Sequence, residues 1–106
     1  MGHPGFFQQE DLVLLHGLYP NPFAELLHVY FTLRVDAAMR MDVYDVAGEP
    51  IWHGEMQAYA GKNLMDWRGE NEGQLRVASG VYVIRLVGKG VDGTTVTIWE
   101  RAVVSR

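Results

Sequence analysis

The chain predicts an all-β fold, a single antiparallel β-sandwich of about seven strands, and three observations lead there. Residues 26–35 alternate strictly, with Leu27, Val29, Phe31, Leu33 and Val35 on one side and Leu26, His28, Tyr30, Thr32 and Arg34 on the other. Such a period of two is the signature of a strand with one buried face. Short apolar runs recur every 8 to 12 residues between Gly, Asn and Pro punctuation, the spacing of a sandwich. Two late runs, residues 78–86 and 99–106, read as its closing strands.

Taken in order, residues 12–18 are the candidate seventh strand, with a short helix over residues 8–15 as the rival because Glu and Leu both favour one. After residues 26–35 comes a strand over residues 39–46, with Met39, Met41 and Val43 inward and Arg40 and Asp42 in water. Residues 47–50 turn the chain, Gly48 supplying a positive φ. Residues 51–59 mix charged and apolar positions behind Pro50, as an edge strand does. Residues 62–67 form a short strand on which Met65 and Trp67 share a face, the indole central to the core provided its N–H finds an acceptor. A polar loop over residues 68–74 precedes two longer strands, 81–87 and 94–104, joined by a glycine-bounded loop over 88–93.

Composition narrows the functions. A chain of 106 residues, 48% of them hydrophobic, sustains one core, and near this length roughly 60 to 70% of the unfolded surface is buried without staples. We read residues 11–106 as the domain and 1–10 as an N-terminal linker or extraneous tail. Nine basic against thirteen acidic residues, with no basic block, argue against nucleic acid as a partner. The absence of cysteine excludes thiol catalysis, disulfides and thiolate zinc sites. No apolar run approaches the length of a membrane helix, and no signal-peptide pattern begins the chain, so an extracytoplasmic destination is expected to need a leader upstream.

No catalytic, metal or cofactor site is expected. His3, His16, His28 and His53 show no helical pairing. Ser79 and Ser105 lie outside any nucleophile elbow. Asp66, Glu70, Asn71 and Glu72 lack the spacing of a calcium loop and read as a solvated hairpin loop. The pairs Glu10/Asp11 and Asp42/Asp45 read as solubility charges, and Gly88-Lys89-Gly90 lacks the spacing and following helix of a phosphate loop. Of Trp52, Trp99, Tyr30, Tyr44 and Tyr59, some must face outward, where rings either cover a sheet or stack on a sugar or a partner protein.

Some residues have plain structural roles. Pro20 and Pro22 fix φ and push Tyr19 and Asn21 towards extended geometry. Gly80 permits an unusual backbone angle, and Tyr82 is placed to bury its ring while its hydroxyl meets a nearby backbone group, as in a tyrosine corner.

Read in succession, Leu18-Tyr19-Pro20-Asn21-Pro22-Phe23, Val43-Tyr44-Asp45-Val46-Ala47-Gly48, Trp67-Arg68-Gly69 with Gly73, Ser79-Gly80-Val81-Tyr82 and Arg101-Ala102-Val103-Val104 form one ordered pattern. It resembles the Ig-like domain of flagellar hook-capping proteins and the related C-terminal sorting domains of the type IX secretion system. The chain departs from the pattern at Ala24-Glu25-Leu26-Leu27, where relatives carry a second Asn-Pro, and at Arg68, where an aspartate is usual.

The resemblance implies an Ig-like sandwich that is non-catalytic, binds no cofactor and directs a larger passenger through the outer membrane to the cell surface. There a sortase-like peptidase removes the domain and joins the passenger to lipopolysaccharide. The implied partners are the outer-membrane secretion machinery and an upstream passenger; no membrane insertion is implied, and weak self-association is left open. It further implies a secreted or cell-surface location, reached through the periplasm as the C-terminal part of a longer precursor. Arg101, Val103, Val104 and Arg106 are the residues it implies for translocon recognition, with strand addition as the mechanism. A hook-cap-like spacer and a carbohydrate-binding module are the alternatives.

Overall fold

A computed structural model describes residues 11–106. Seven strands form two sheets: β1 (Val13–Tyr19), β2 (Leu27–Leu33), β3 (Ala37–Asp45), β4 (Pro50–Ala58), β5 (Gly61–Trp67), β6 (Gly80–Gly90) and β7 (Thr95–Val104). The order is β1-β2-β5 in one sheet and β4-β3-β6-β7 in the other, all pairings antiparallel. The chain therefore changes sheet between β2 and β3, between β4 and β5, and again between β5 and β6, as an Ig-like sandwich requires. Residues 51–59 lie where their mixed polarity places them, since β4 closes one edge.

The core is the meeting of the two inner faces. Leu27, Val29, Phe31 and Leu33 of β2 are buried against Met39, Met41 and Val43 of β3 and Ile84 and Leu86 of β6, and burying each such side chain is worth about 1.5–3 kcal/mol. At one end the rings of Phe23 and Tyr82 meet Trp67 edge-on, with centroids 5.5 and 5.6 Å away. The indole N–H donates to the carbonyl of Glu70 at 2.9 Å, which satisfies the one polar atom Trp67 brings inside.

The seventh strand forms as expected, and two other local expectations change. Val13, Leu14 and Leu15 pair with β2, so a helix does not form there, while residues 8–10 of that reading lie outside the described residues. The expected loop over 88–93 is shorter: β6 runs to Gly90 and only residues 91–94 turn. Gly88 stays in the strand because a side chain there would meet Met39, Leu12 and Val96 at 3.0–3.3 Å, so this glycine marks a close approach. Asp42 does not face water, being only 5% exposed. It points outward from β3 but is covered by longer neighbours, accepting from Arg40 Nε at 2.9 Å and from Arg85 Nη2 at 3.0 Å.

Candidate functional site

The ordered sequence pieces converge on one end of the sandwich, and the terminal strand is their common partner. Asn21 lies beside β7, where its Nδ2 donates to the carbonyl of Arg101 at 3.1 Å while the Val103 N–H donates to its Oδ1 at 2.9 Å. Two residues on, the Phe23 N–H donates to the Val103 carbonyl at 2.9 Å and the Ser105 N–H to the Phe23 carbonyl at 2.8 Å. The segment led by Pro20 and Pro22 thus acts as a short parallel strand along the last residues of β7. Both prolines follow cis peptide bonds, Tyr19-Pro20 and Asn21-Pro22, and the ring of Phe23, 2% exposed, anchors the segment on Trp67.

Arg106 closes the same end. Its Nε donates to the Val77 carbonyl at 2.9 Å, Nη2 to the Gly69 carbonyl at 2.6 Å, and Nη1 to the Ala24 carbonyl. Its backbone N–H donates to Ser79 Oγ at 2.9 Å. A planar fork of donors suits three carbonyls from three segments in a way that a lysine ammonium does not. Gly69 sits at φ +67°, and a Cβ there would fall 2.7 Å from Arg106 Nη2, so this glycine leaves room for the guanidinium.

Tyr82 supplies the corner. Its ring is buried and its hydroxyl donates to the Ala78 carbonyl, four residues upstream, at 2.7 Å. Burial raises the phenol above its ordinary pKa, the carboxylate of Asp45 adds to that, and Arg106 opposes it. Asp45, paired with Tyr82 across β3 and β6, accepts the N–H groups of Ala47 and Glu49 on Oδ1 at 2.9 Å each. Gly48 completes that turn at φ +88°, and Gly80 opens β6 at φ +155°, opposite Val104.

The four residues implied for recognition therefore have unequal surroundings. Val104 is 1% exposed and belongs to the core; Val103 is half-buried. Arg106 is engaged with carbonyls. Arg101 is exposed, and among the described residues its guanidinium has no hydrogen bond or ion pair. Pro20 and Pro22 are exposed as well. Ser79 stands in the ordered sequence pattern without this role, and the carbonyls of Ala24, Gly69 and Val77 escape a sequence reading because a backbone acceptor has no residue-type signature.

Two of the aromatics expected outside, Tyr44 and Trp99, stand in a row on the outer face of the four-stranded sheet, with Arg85, which carries no sequence signature for this, beside them. Arg85 stacks its guanidinium against Tyr44 and Trp99, 5.6 and 5.7 Å from the ring centroids. The two rings lie 6.1 Å apart and tilted by 35°, with the guanidinium capping both. The histidines are scattered: His28 meets Asp66 at 2.6 Å, His53 meets Glu72 at 2.6 Å and His16 meets Thr32 at 2.6 Å, and His3 lies outside the described residues. In the loop after β5, Asn71 Oδ1 accepts the N–H groups of Gly73 and Leu75 at 2.9 and 3.0 Å, the work of a turn residue. Among the described residues no three His, Asp or Glu side chains gather as metal ligands.

Two antiparallel sheets, with the last residues of β7 held by the chain's own motif residues, define an Ig-like sandwich domain. The chain matches the secretion system C-terminal sorting domain family over residues 17–99, and it belongs to that family. Comparison with curated proteins gives no match.

Among solved structures it is similar to dimeric latent PorU from Porphyromonas gingivalis, with 18% identity, a TM-score of 0.72 and coverage of 94% of this chain. It is also similar to FlgD from Xanthomonas campestris, a protein of flagellar hook capping, with 14% identity, a TM-score of 0.66 and coverage of 86% of this chain and 67% of that one. A third is PorZ, a surface component of the type-IX secretion system of Porphyromonas gingivalis, with 19% identity, a TM-score of 0.53 and coverage of 85% of this chain. The chain spans 10% of the length of PorU and 11% of PorZ. At these identities the likeness establishes the fold.

Proposed function

We propose that this chain is the non-catalytic sorting domain of a larger protein, which it directs through a type IX secretion system to the cell surface by way of the periplasm. Residues 11–106 are the domain, residues 1–10 link it to an upstream passenger, and the partner is the outer-membrane secretion machinery. Family membership supports this reading, and the convergence of the motif residues on the C-terminal end is the observation that carries it.

Within that end the four terminal residues divide the work. Arg101 and the outer flank of Val103 are offered to the machinery, whereas Val104 and Arg106 act by holding the end in shape. The signal is then an assembled surface and not a loose tail. Backbone groups of residues 103 and 105 already have partners in Asn21 and Phe23, so strand addition at residues 103–105 would first have to displace them.

The test fuses the whole chain behind a periplasmic reporter in a bacterium with this secretion system and compares surface yield with that of the chain lacking residues 101–106. Equal yield would sink the reading. Arg101→Glu is expected to lower yield with unchanged melting, and Arg106→Ala to lower yield in step with loss of folded domain. An Arg106→Ala domain that stays folded yet is not exported would assign Arg106 to direct recognition and correct the division of work.

A further inference from the structure

The residues of β7 before the sealed end present an edge whose charges, Glu100 and Arg101, are confined to its boundary with that end. The bonds of Val103 to Asn21 and Phe23 show that its N–H and C=O point away from β6. The register between β6 and β7 runs without a shift from Gly80↔Val104 to Lys89↔Thr95, so backbone groups of alternate residues point the same way. Thr97 and Trp99, together with the N–H of Arg101, are therefore free of backbone partners among the described residues.

Each of the other three edge strands carries a guard. In β1 the ladder is bulged between Leu15 and Gly17. In β4 the loop after β5 covers the edge, the Glu72 N–H donating to the Ile51 carbonyl at 3.0 Å and the His53 N–H to Glu72 Oε1 at 2.8 Å. The seven-residue β5 bears Lys62 and Asp66. Natural sheets protect their edges with such bulges, charges and coverings. Residues 95–99 read Thr-Val-Thr-Ile-Trp, a run of strand formers without proline, bulge or charge.

We infer that the open edge of β7, Thr97 to Arg101, takes an added strand from a partner protein: an extended peptide segment with alternating apolar residues and a carboxylate opposite Arg101. The chemistry of the strand follows from what flanks the edge. On the inner side Val96 and Ile98 are only partly buried at the margin of the core, with exposed Glu100 beyond them, so the guest residues beside Val96 and Ile98 must be apolar to cover them. On the outer side stand Thr97, exposed Trp99 and the unpaired guanidinium of Arg101, so the opposite residues are polar and one is acidic. Main-chain bonds give such a guest its affinity and the alternating side chains its selectivity. Asn21 marks where the guest must stop, since it already holds the Arg101 carbonyl and the Val103 N–H.

The test needs no secretion host and so stands or falls separately from the sorting reading. The probe is a blocked synthetic heptapeptide, Val-Glu-Val-Thr-Val-Thr-Val, whose second, fourth and sixth residues fall opposite Arg101, Trp99 and Thr97 in an antiparallel pairing, added to the whole chain while amide exchange is followed residue by residue by NMR. At saturating peptide, exchange at Thr97, Trp99 and Arg101 is expected to slow by roughly tenfold or more, with little change at Val96 and Ile98, whose N–H groups already bond β6. Thr97→Pro removes an edge donor without touching the β6 ladder and is expected to abolish the protection at Trp99 and Arg101. Arg101→Glu is expected to reverse the preference from this peptide to one with lysine in place of glutamate, which decides the matter even if the proline variant unfolds. Absence of protection at the three alternating amides would overturn the inference. So would protection that grows with chain concentration without peptide, which would mean that β7 pairs with a second copy.

Discussion

The two halves of β7 share one strand and one partner in β6, yet they differ in what happens at the other edge. Over residues 101–105 the edge is occupied: Asn21 and Phe23 take its backbone groups, and Arg106 ties the end to three carbonyls. Over residues 95–99 it meets solvent. The difference teaches that a short motif remote in sequence can do the work of a whole strand where it can be anchored. Here the anchor is the Phe23 ring in the Trp67 pocket, and no equivalent ring serves residues 95–99.

The strongest way to break the contrast is to remove that anchor. Phe23→Ala is expected to cost about 3–5 kcal/mol in urea unfolding and to raise exchange at Val103 and Ser105 towards the rate at Thr97. Arg106→Ala comes next, at about 2 kcal/mol, because hydrogen bonds from a charged donor are lost at three carbonyls. Arg106→Lys is expected to recover less than half of this loss, since an ammonium cannot reproduce the fork; full recovery would mean that charge alone matters.

Asn21→Ala is expected to cost about 1 kcal/mol, the net worth of exposed hydrogen bonds, and to free the Val103 amide selectively in exchange. Thr97→Val, on the open half, is expected to shift stability by less than about 0.5 kcal/mol, as a surface change with no partner to lose. A larger loss would mean that the open half is engaged after all.

The smallest effect concerns the hairpin that leads into the open half. Asp92 has its carboxyl lowered to about 2 from 3.8, first by the Thr94 hydroxyl, then by the Thr94 N–H, with Arg34 assisting. The folded state thus holds the carboxylate more strongly than the unfolded chain does, so its stabilisation is complete above about pH 4 and fades as pH falls through about 2. Asp92→Asn is expected to lower the melting temperature slightly near neutrality, where the carboxylate contributes in full, and to flatten its fall over that window, so that the two proteins converge as pH drops towards 2.

Much of this was legible in the residues. Strand β2 could be read directly because each inward position is apolar and a one-residue slip would expose the whole set. The corner at Tyr82, the turn at Gly48 and the central indole at Trp67 were likewise readable, each being a residue type with one demand to satisfy. Gly88 and Gly90 misled, because a glycine kept for close packing looks the same in sequence as one kept for a turn. Asp42 misled because its cover comes from Arg85, a residue forty-three positions away.

By itself the sequence determined the sandwich, its strand count and the ordered family motifs, since alternation, turn chemistry and side-chain size act over a few neighbouring residues. Only the tertiary structure decided that Asn21, Phe23 and Arg106 seal one half of β7 and leave the other open. The partners there are backbone carbonyls and N–H groups, identical at nearly every position, and only folding selects which of them meet.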